Sequence, residues 1–253
     1  MNRSSAVVGG NQSFAGTIVP IFRRFWISMM IGAIALAASI PAIAQIVDVQ
    51  QKLAAVKQVV ALNKQSLLQY QWWETTQMTL DGDPKPPTQN LCQYGPGEQV
   101  VKTPIGAPPP PPSGGRLKQR IIERKKKEMQ EYMTEVKGVL SMYVPPDPQR
   151  MQQAYQAGKL SLNPVGGLMN LVFRDYAQPG DQMTLTFDSA AVKVLSLSIN
   201  TYMGQTKDAV TLQVQMATLP DGTSYDQQSI LNATAKQLVV TTTNSHYQKL
   251  GGY

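Results

Sequence analysis

Two segments in the C-terminal third of the chain alternate apolar and polar residues. Met183, Leu185 and Phe187 are separated by threonines, and residues 210–216 repeat the pattern with valine, leucine and methionine separated by threonine and glutamine. Successive side chains on a strand point to opposite faces of a sheet, so each segment predicts a strand with one buried and one solvated face. Sheets with one solvated face are typically antiparallel. The chain is thereby constrained to build an antiparallel sheet whose apolar face needs a cover.

Polar and turn-forming residues divide the sequence after residue 167 into consecutive strands. Proline, glycine and aspartate favour tight turns, and the breaks fall at residues 179–181, 189–190, 205–208 and 220–222. This spacing predicts about five strands in a meander, the last of them at 237–247. The apolar residues change from even-numbered to odd-numbered positions between Val194 and Leu195, which indicates either a β-bulge or the end of a turn there.

The N-terminal part of the chain predicts a helix followed by three strands. Across residues 47–68, apolar residues recur at spacings of three, four and seven, which places them on one helical stripe. Residues 70–80 are rich in aromatic residues and threonine and end at the turn signal 81–83. Residues 89–94 and 99–103 follow as the next two strands, on either side of a Gly-Pro-Gly turn.

A proline-rich spacer and a helical insertion separate these strands from the meander. Residues 104–115 contain five consecutive prolines, which favour a stiff polyproline II conformation. Helical periodicity then begins an insertion that spans 116–158, in which Asp147 and Pro148 provide the N-cap and first residue of a second, short helix. The first inserted helix is expected to bury one face, made of Leu117, Ile121, Met129, Met133, Val136, Leu140 and Tyr143.

Together these elements predict an α+β fold. We expect a curved antiparallel sheet of about seven to nine strands, because a sheet of that size must curl or be covered on its apolar face. The N-terminal helix and the inserted helical segment are expected to provide that cover.

The first 44 residues have the order of a secretory signal peptide. Three arginines are the only charges before an apolar stretch at 25–40, which is followed by Pro-Ala-Ile-Ala at 41–44. This apolar stretch is shorter than the roughly 20 residues that a transmembrane helix needs, and a retained anchor is the alternative. We expect cleavage near Ala44, which leaves residues 45–253 as a single domain, periplasmic or secreted, in a bacterial envelope.

Residues that carry catalytic chemistry are scarce. The chain has one histidine, His246, and one cysteine, Cys92, which excludes a multi-histidine zinc site and an internal disulfide. We expect His246 on the surface or at a strand end, and Cys92 as a buried structural thiol. The sequence therefore predicts no enzyme activity, no cofactor and no metal. The acids are expected mostly in turns or at strand ends, without a pair arranged for acid–base chemistry, and include Glu74, Asp81, Asp83, Asp175 and Asp181.

An aromatic pair and a methionine form the candidate ligand cavity. Trp72 and Trp73 are adjacent, so on a strand one enters the core while the other is exposed or covered by a helix. Anchoring of the core is one interpretation. The other is that the outer aromatic ring and Met78 line a cavity for an acyl chain or another apolar ligand, because methionine adapts to irregular apolar surfaces.

The start of the helical insertion is densely basic. Residues 116–128 hold seven basic side chains and two acids, with Leu117, Ile121 and Ile122 available for an apolar stripe. Such a helix can lie on anionic lipid headgroups, and a merely solvated face is the alternative. Removal of the signal peptide lowers the net charge from +7 to about +4, which does not indicate a nucleic-acid partner. The residues expected to contact a membrane surface or an envelope protein are Arg116, Arg120, Arg124, Lys125, Lys126 and Lys127.

Two resemblances bear on the class of protein. The segments WWETT at 72–76, CQYGP at 92–96, KTP at 102–104 and NSHYQKL at 244–250 resemble those of a family of exported bacterial proteins without a known activity. In the order of its elements the chain also resembles periplasmic lipoprotein carriers and their receptors, the LolA/LolB-like fold. That resemblance implies a curved antiparallel half-barrel with an apolar cavity under helices. No functional residue of that family maps onto this chain, and the proline spacer departs from its pattern.

Two functional hypotheses follow. The first is a non-enzymatic periplasmic carrier or sensor that shelters a lipid or a lipoprotein acyl chain between the sheet and its helices. The second is an envelope structural or adaptor protein, in which the sheet supports a filled core and the spacer and basic helix bind a protein partner. A core without a cavity under the helices would favour the second hypothesis.

Overall fold

The computed structural model describes residues 63–106, 115–144, 146–188, 190–191 and 193–251. The predicted signal peptide, most of the predicted N-terminal helix and most of the proline spacer lie outside these residues.

Within these ranges the chain forms a curved, open, 11-stranded sheet. The predicted antiparallel sheet is confirmed, and the fold is more strongly β than the expected α+β arrangement of about seven to nine strands. The two complete helices are α1 (Arg116–Leu140) and α2 (Pro148–Gln156), and residues 63–67 are also helical. The strands are β1 (Tyr70–Leu80), β2 (Asp83–Pro84), β3 (Thr88–Tyr94), β4 (Val100–Pro104), β5 (Leu160–Val165), β6 (Leu168–Arg174), β7 (Gln182–Asp188), β8 (Lys193–Tyr202), β9 (Ala209–Thr218), β10 (Ser224–Ala233) and β11 (Leu238–Lys249).

The strand order places the first and the last of these strands, β1 and β11, side by side in the interior of the sheet. It runs β4-β3-β1-β11-β10-β9-β8-β7-β6-β5, and β2 pairs only with β1. Strands β5 to β11 form a continuous antiparallel meander, and β11 then pairs antiparallel with β1. The β1–β3–β4 unit thus extends the meander, and β4 and β5 are the outer strands.

The two strands that the sequence did not predict are very short or are interrupted by a proline. Strand β2 has only two residues. Strand β5 contains Pro164, and both Leu162 and Val165 are about half exposed. Proline is tolerated there because β5 pairs with β6 alone and leaves its other edge unpaired.

Three register shifts interrupt the pairing of the described strands, and one of them lies between Asp226 and Gln228, where β10 pairs with β9. The pairing of β7 with β8 shifts between Thr186–Ser196 and Phe187–Val194, which confirms a bulge at Leu195, beside the predicted phase slip. The third shift lies between the Gln71–Gln248 and Trp73–Ser245 pairs of β1 and β11. The additional residue on β11 is accommodated at His246, whose backbone is left-handed with a φ of 54°. After this bulge the Tyr247 ring stacks on Trp72, with 5.6 Å between ring centroids.

Two rows of paired residues describe the inward face of the sheet. The first row is apolar throughout, from Met78 on β1 to Phe173 on β6, with Val240, Leu231, Leu212, Ile199 and Met183 between them. The second row begins with hydroxyls on four strands and becomes aliphatic on the next four: Thr88, Thr76, Thr242, Ser229, Val214, Leu197, Leu185 and Leu171. Along this second row the inward face is therefore polar on β3, β1, β11 and β10 and apolar from β9 to β6.

The two halves of α1 have different surroundings. Met133, Val136 and Leu140 are buried in the same hydrophobic core as the apolar strand residues. Leu117 and Ile121 are instead 75% and 41% exposed, so the prediction that they share the buried face of the helix is wrong. Within the described residues, no helix combines the length and the apolar character of a membrane span.

The ends of the other helical segments agree with the sequence prediction. The Asp147 carboxylate caps α2 by accepting a hydrogen bond from the Gln149 N–H at 2.8 Å. The helical residues 63–67 end close to the predicted boundary at 68. The Asn63 side chain accepts from the Ser224 N–H at 2.7 Å and donates to the Ser224 carbonyl at 3.2 Å, which fixes this segment against the start of β10.

Candidate ligand-binding site

The inward face of β1, β3, β4 and β11 carries a group of buried polar side chains that we call the polar corner. It consists of Glu74, Thr76, Asn90, Lys102 and Asn244. Glu74 and Thr76 point inward because they share the parity of Tyr70 and Trp72 along β1. The acids were expected mostly in turns or at strand ends, and Glu74 departs from this expectation, since it lies in the middle of β1 and is 0% exposed. The parity with Trp72 was the signal that could have located it.

A buried ion pair crosses the polar corner. The Lys102 Nζ lies 2.6 Å from Glu74 Oε1 and 2.7 Å from Oε2, and the Asn90 amide donates to Oε1 at 3.4 Å. Lys102 belongs to β4 and Glu74 to β1, so the pair spans the intervening strand β3. Their side chains are 11% and 0% exposed. The two charges therefore depend on each other, because neither is well hydrated.

Aromatic rings and an amide close one side of this group. The Trp72 indole N–H donates to Asn244 Oδ1 at 3.1 Å, and the Asn244 amide donates to the Asp226 carbonyl at 2.9 Å. The Trp72 ring lies 5.9 Å from that of Tyr94, in addition to its stack on Tyr247. These contacts hold the indole in one orientation.

Two hydroxyls beside the ion pair lack hydrogen bonds. Thr76 and Thr88 pair across β1 and β3, and neither Oγ1 has a partner within the described residues. Thr76 is only 4% exposed. A buried hydroxyl without a partner destabilises by about 1–3 kcal/mol. A polar group bound at this position would remove that penalty.

Lys137 brings a second ammonium group towards the polar corner from α1. Partial burial and then the nearby charge of Lys102 lower the pKa of Lys137 to about 8. The charge of Lys102 is paired with that of Glu74, whereas Lys137 forms no ion pair within the described residues. Two lysines and one carboxylate leave an excess of positive charge, which suits an anionic ligand group.

The lowered pKa of Lys137 predicts a specific pH dependence of stability. Folded Lys137 loses its proton near pH 8, whereas in the unfolded chain it keeps the proton up to the ordinary pKa of 10.5. The unfolded state binds more protons between these values, so the free energy of unfolding should rise from pH 8 to about 10. Above about pH 10 the trend should reverse, because the unfolded chain ionises first at the tyrosines whose pKa is raised: Tyr70, Tyr132, Tyr143 and Tyr176.

Urea denaturation at pH 7, 8, 9 and 10 measures this effect. Lys137→Met should abolish the rise and stabilise the protein at pH 7. Lys207→Met, which removes an exposed lysine from the β8–β9 turn, should leave the rise intact. An equal rise in both variants would show that another group titrates.

The three residues of the predicted ligand cavity lie on two faces of the sheet. Trp72 and Met78 point inward, where Trp72 is buried and Met78 packs against the hydrophobic core. Trp73 lies on the opposite face, is 40% exposed, and has its ring 5.0 Å from that of His246. One tryptophan is thus buried and the other exposed, as predicted, and Trp73 does not share a surface with Met78.

Cys92 and His246 occupy the expected environments. Cys92 is fully buried on β3, where it pairs with Trp72 on one side and Lys102 on the other. His246 is exposed, and its Nδ1 lies 2.9 Å from the Ser245 hydroxyl. In the part of the chain that the structure describes, no group of three histidine, cysteine or acidic side chains could hold a metal ion.

The predicted contact residues lie on the first half of α1. Two loose ion pairs join Arg124 to Glu128 at 3.7 Å and Lys127 to Glu131 at 3.8 Å. An open depression of about 470 Å³ continues along this helix and is lined by charged and polar side chains, so it is not the predicted apolar cavity. The Arg116 side chain lies outside the described residues. Lys126 is half-buried, and the exposed members are Arg120, Arg124, Lys125 and Lys127.

A comparison with solved structures finds a protein with a similar fold. No protein-family model and no curated protein sequence match the chain. The fold is similar to the crystal structure of a DUF1329 family protein from Desulfovibrio piger, with 8% sequence identity and a TM-score of 0.35 over 76% of this chain and 91% of that chain. A likeness at this score supports no inference about a ligand or an activity. The resemblance to periplasmic lipoprotein carriers stays a prediction.

Proposed function

We propose that this protein is an exported, non-enzymatic carrier or sensor that binds a lipid or a lipoprotein acyl chain in the bacterial envelope. The head group would lie in the polar corner and the acyl chain along the apolar rows, with α1 as the lid. The observation that carries this function is the change along one row of the inward face, from hydroxyls at Thr88, Thr76 and Thr242 to aliphatic side chains on β9 to β6.

The polar corner suits an anionic head group. Lys137 supplies an ammonium without an ion pair in the described residues, and Thr76 and Thr88 supply hydroxyls free to donate. An acyl chain adds about 0.8 kcal/mol for each methylene that leaves water. A chain of about 12 carbons would thus contribute about 9 kcal/mol towards separating the lid from the sheet.

Opening of the lid requires α1 to leave the sheet. Val136 and Leu140 are 0% and 1% exposed in the hydrophobic core that they share with the apolar rows, so an acyl chain in this core would have to displace them. Beyond the helix, the Tyr143 hydroxyl donates to the Asp181 carboxylate at 2.5 Å, which anchors this end of α1. A lid that pivots at Tyr143 would expose the apolar rows and leave the anchor intact.

The second candidate function is an envelope adaptor with a filled core. It is favoured by the burial of the core that α1 shares with the sheet, in which Phe173, Met183 and Ile199 are all 0% exposed. In that case the sheet is a rigid support, and the binding surface is the exposed part of α1.

Ligand binding separates the two candidates. Residues 45–253, purified from a bacterial periplasm, should carry a stoichiometric lipid in native mass spectrometry, and the extracted ligand can then be identified.

A calorimetric titration of the lipid-free protein tests the charge of the head group. The protein should bind dodecanoate at least about tenfold more tightly than dodecyltrimethylammonium, both below their critical micelle concentrations, because Lys137 favours the anion. Lys137→Met should remove most of this preference, and Lys207→Met should retain it. A protein mass without a bound ligand, together with no heat of binding for either amphiphile, would favour the adaptor.

A further inference from the structure

The first half of α1 extends away from the core as an exposed basic helix. Residues 117–128, which we call the exposed half of α1, rise about 18 Å along the helix axis. All of them are exposed except Ile122 and Lys126, which are half-buried. Leu117 is 75% exposed although burial of leucine is favourable. An apolar side chain that is this exposed is a candidate contact for another surface.

The exposed apolar residues do not continue the buried face of the helix. At 100° per residue, the core residues Met129, Met133, Val136 and Leu140 centre on one direction, and Leu117 and Ile121 point about 110° away from it. Ile122 and Lys126 point close to the core direction, which agrees with their partial burial. The exposed half of α1 therefore has an apolar stripe of its own, separate from the face that packs on the sheet.

Basic side chains flank this stripe on both sides. The same helical geometry places Arg120 and Lys127 on one side of Leu117 and Ile121, and Lys118 and Lys125 on the other. Residues 117–128 contain six basic side chains and two acids. One of these acids, Glu128, is engaged loosely by Arg124. Lys118, Arg120 and Lys125 have no ion pair within the part of the chain that the structure describes.

We propose that the exposed half of α1 docks on an anionic phospholipid bilayer. The helix lies parallel to the membrane surface, Leu117 and Ile121 enter the boundary between headgroups and acyl chains, and the flanking lysines and arginines contact lipid phosphates. Charge complementarity selects this occupant, because a narrow apolar stripe between two basic rows matches a layer with anionic headgroups above hydrocarbon. The contact is independent of any ligand on the inward face of the sheet.

Vesicle flotation tests this docking. Residues 45–253 should partition at least about tenfold more strongly onto vesicles of phosphatidylcholine and phosphatidylglycerol at 7:3 than onto phosphatidylcholine alone, at 50 mM NaCl. Raising NaCl to 300 mM should reduce binding at least about fivefold, because salt screens the attraction. Equal partitioning onto the two vesicle types would overturn the proposal.

Matched variants locate the surface. The triple variant Arg120→Glu, Arg124→Glu and Lys125→Glu should abolish binding to the vesicles. A control variant makes the same change of net charge on exposed lysines elsewhere. This control, Lys85→Glu with Lys207→Glu and Lys236→Glu, should lower vesicle binding less than about threefold. Leu117→Ser with Ile121→Ser should weaken binding about fivefold and preserve its salt dependence. Circular dichroism and urea denaturation confirm that each variant is folded. Equal losses in the two charge-reversed variants would mean that net charge alone drives binding, and the surface assignment would be wrong.

Discussion

Asp181→Ala is expected to lower the free energy of unfolding by roughly 3–5 kcal/mol. The Asp181 carboxylate is 2% exposed and accepts four hydrogen bonds. One comes from the Tyr143 hydroxyl at 2.5 Å, and three come from the backbone N–H groups of Tyr176 at 2.5 Å, Ala177 at 2.9 Å and Gln178 at 2.7 Å. Alanine would remove the acceptor of the three backbone N–H groups, and the Tyr143 hydroxyl would keep only its contact with Thr201 Oγ1 at 2.7 Å. The β6–β7 turn and the end of α1 would lose their common anchor.

Burial keeps the tyrosines of this anchor protonated. Burial and then the hydrogen bond to Asp181 raise the pKa of the Tyr143 phenol well above its usual range, and burial raises the pKa of Tyr176 to about 12. Tyr143 therefore remains a hydrogen-bond donor at every pH at which the protein is handled. The Tyr176 hydroxyl in turn accepts from the Asp147 N–H at 2.6 Å, so the start of α2 is joined to the same anchor.

Urea denaturation of Asp181→Ala and Asp188→Ala provides the test. Asp188 has a similar local role, because its carboxylate accepts from the N–H groups of Ala190 and Ala191 at 2.9 Å, but it lies in a more exposed turn. We expect Asp188→Ala to destabilise by less than about 1 kcal/mol. If Asp181→Ala were equally mild, water would be able to replace the carboxylate and the anchor would be unimportant.

The second large effect is expected from the ion pair of the polar corner. Glu74→Leu leaves the Lys102 ammonium in a site that is 11% exposed, and Lys102→Met leaves the Glu74 carboxylate fully buried. Each change should destabilise the fold by roughly 3–5 kcal/mol, because a buried charge has lost its partner. The double variant should recover most of this loss, since it buries no charge at all.

A double-mutant cycle measures this coupling by chemical denaturation of the two single variants and the double variant. An additive double variant would mean that water reaches both groups and that the ion pair is screened. The Lys137 side chain gives a second readout by NMR titration. Its pKa should rise in Lys102→Met towards the ordinary value, because the repulsion from Lys102 is gone.

Local patterns predicted those elements whose signal lies within a few residues. The alternation at 183–187 predicted β7, and Met183 and Leu185 are buried as that pattern required. Asp147 and Pro148 predicted the start of α2 because capping depends only on neighbouring residues. Strand β5 was missed because its alternation lasts only four residues and runs into Asn163-Pro164, which together with two following glycines is typical of a turn.

The candidate site could not be predicted because it is assembled from distant segments. The partner of Glu74 is Lys102, which lies 28 residues away and reaches it across an intervening strand. Asn244 reaches the site through the pairing of β1 with β11, for which no local pattern exists. The periodicity of α1 was visible, but it could not reveal that Leu117 and Ile121 lie beyond the edge of the core.

The pairing of β1 with β11 also sets the order in which the chain can fold. The sheet is continuous only when the 12-residue strand β11 is present, because β11 lies between β1 and β10. Domains that fold during synthesis begin from their N-terminus, but here the β1–β3–β4 unit must wait with an unpaired edge for the final segment. Such non-local contacts also slow folding. Loss of β11 would therefore leave β1 and β10 with unpaired edges and divide the sheet in its interior instead of fraying an outer strand.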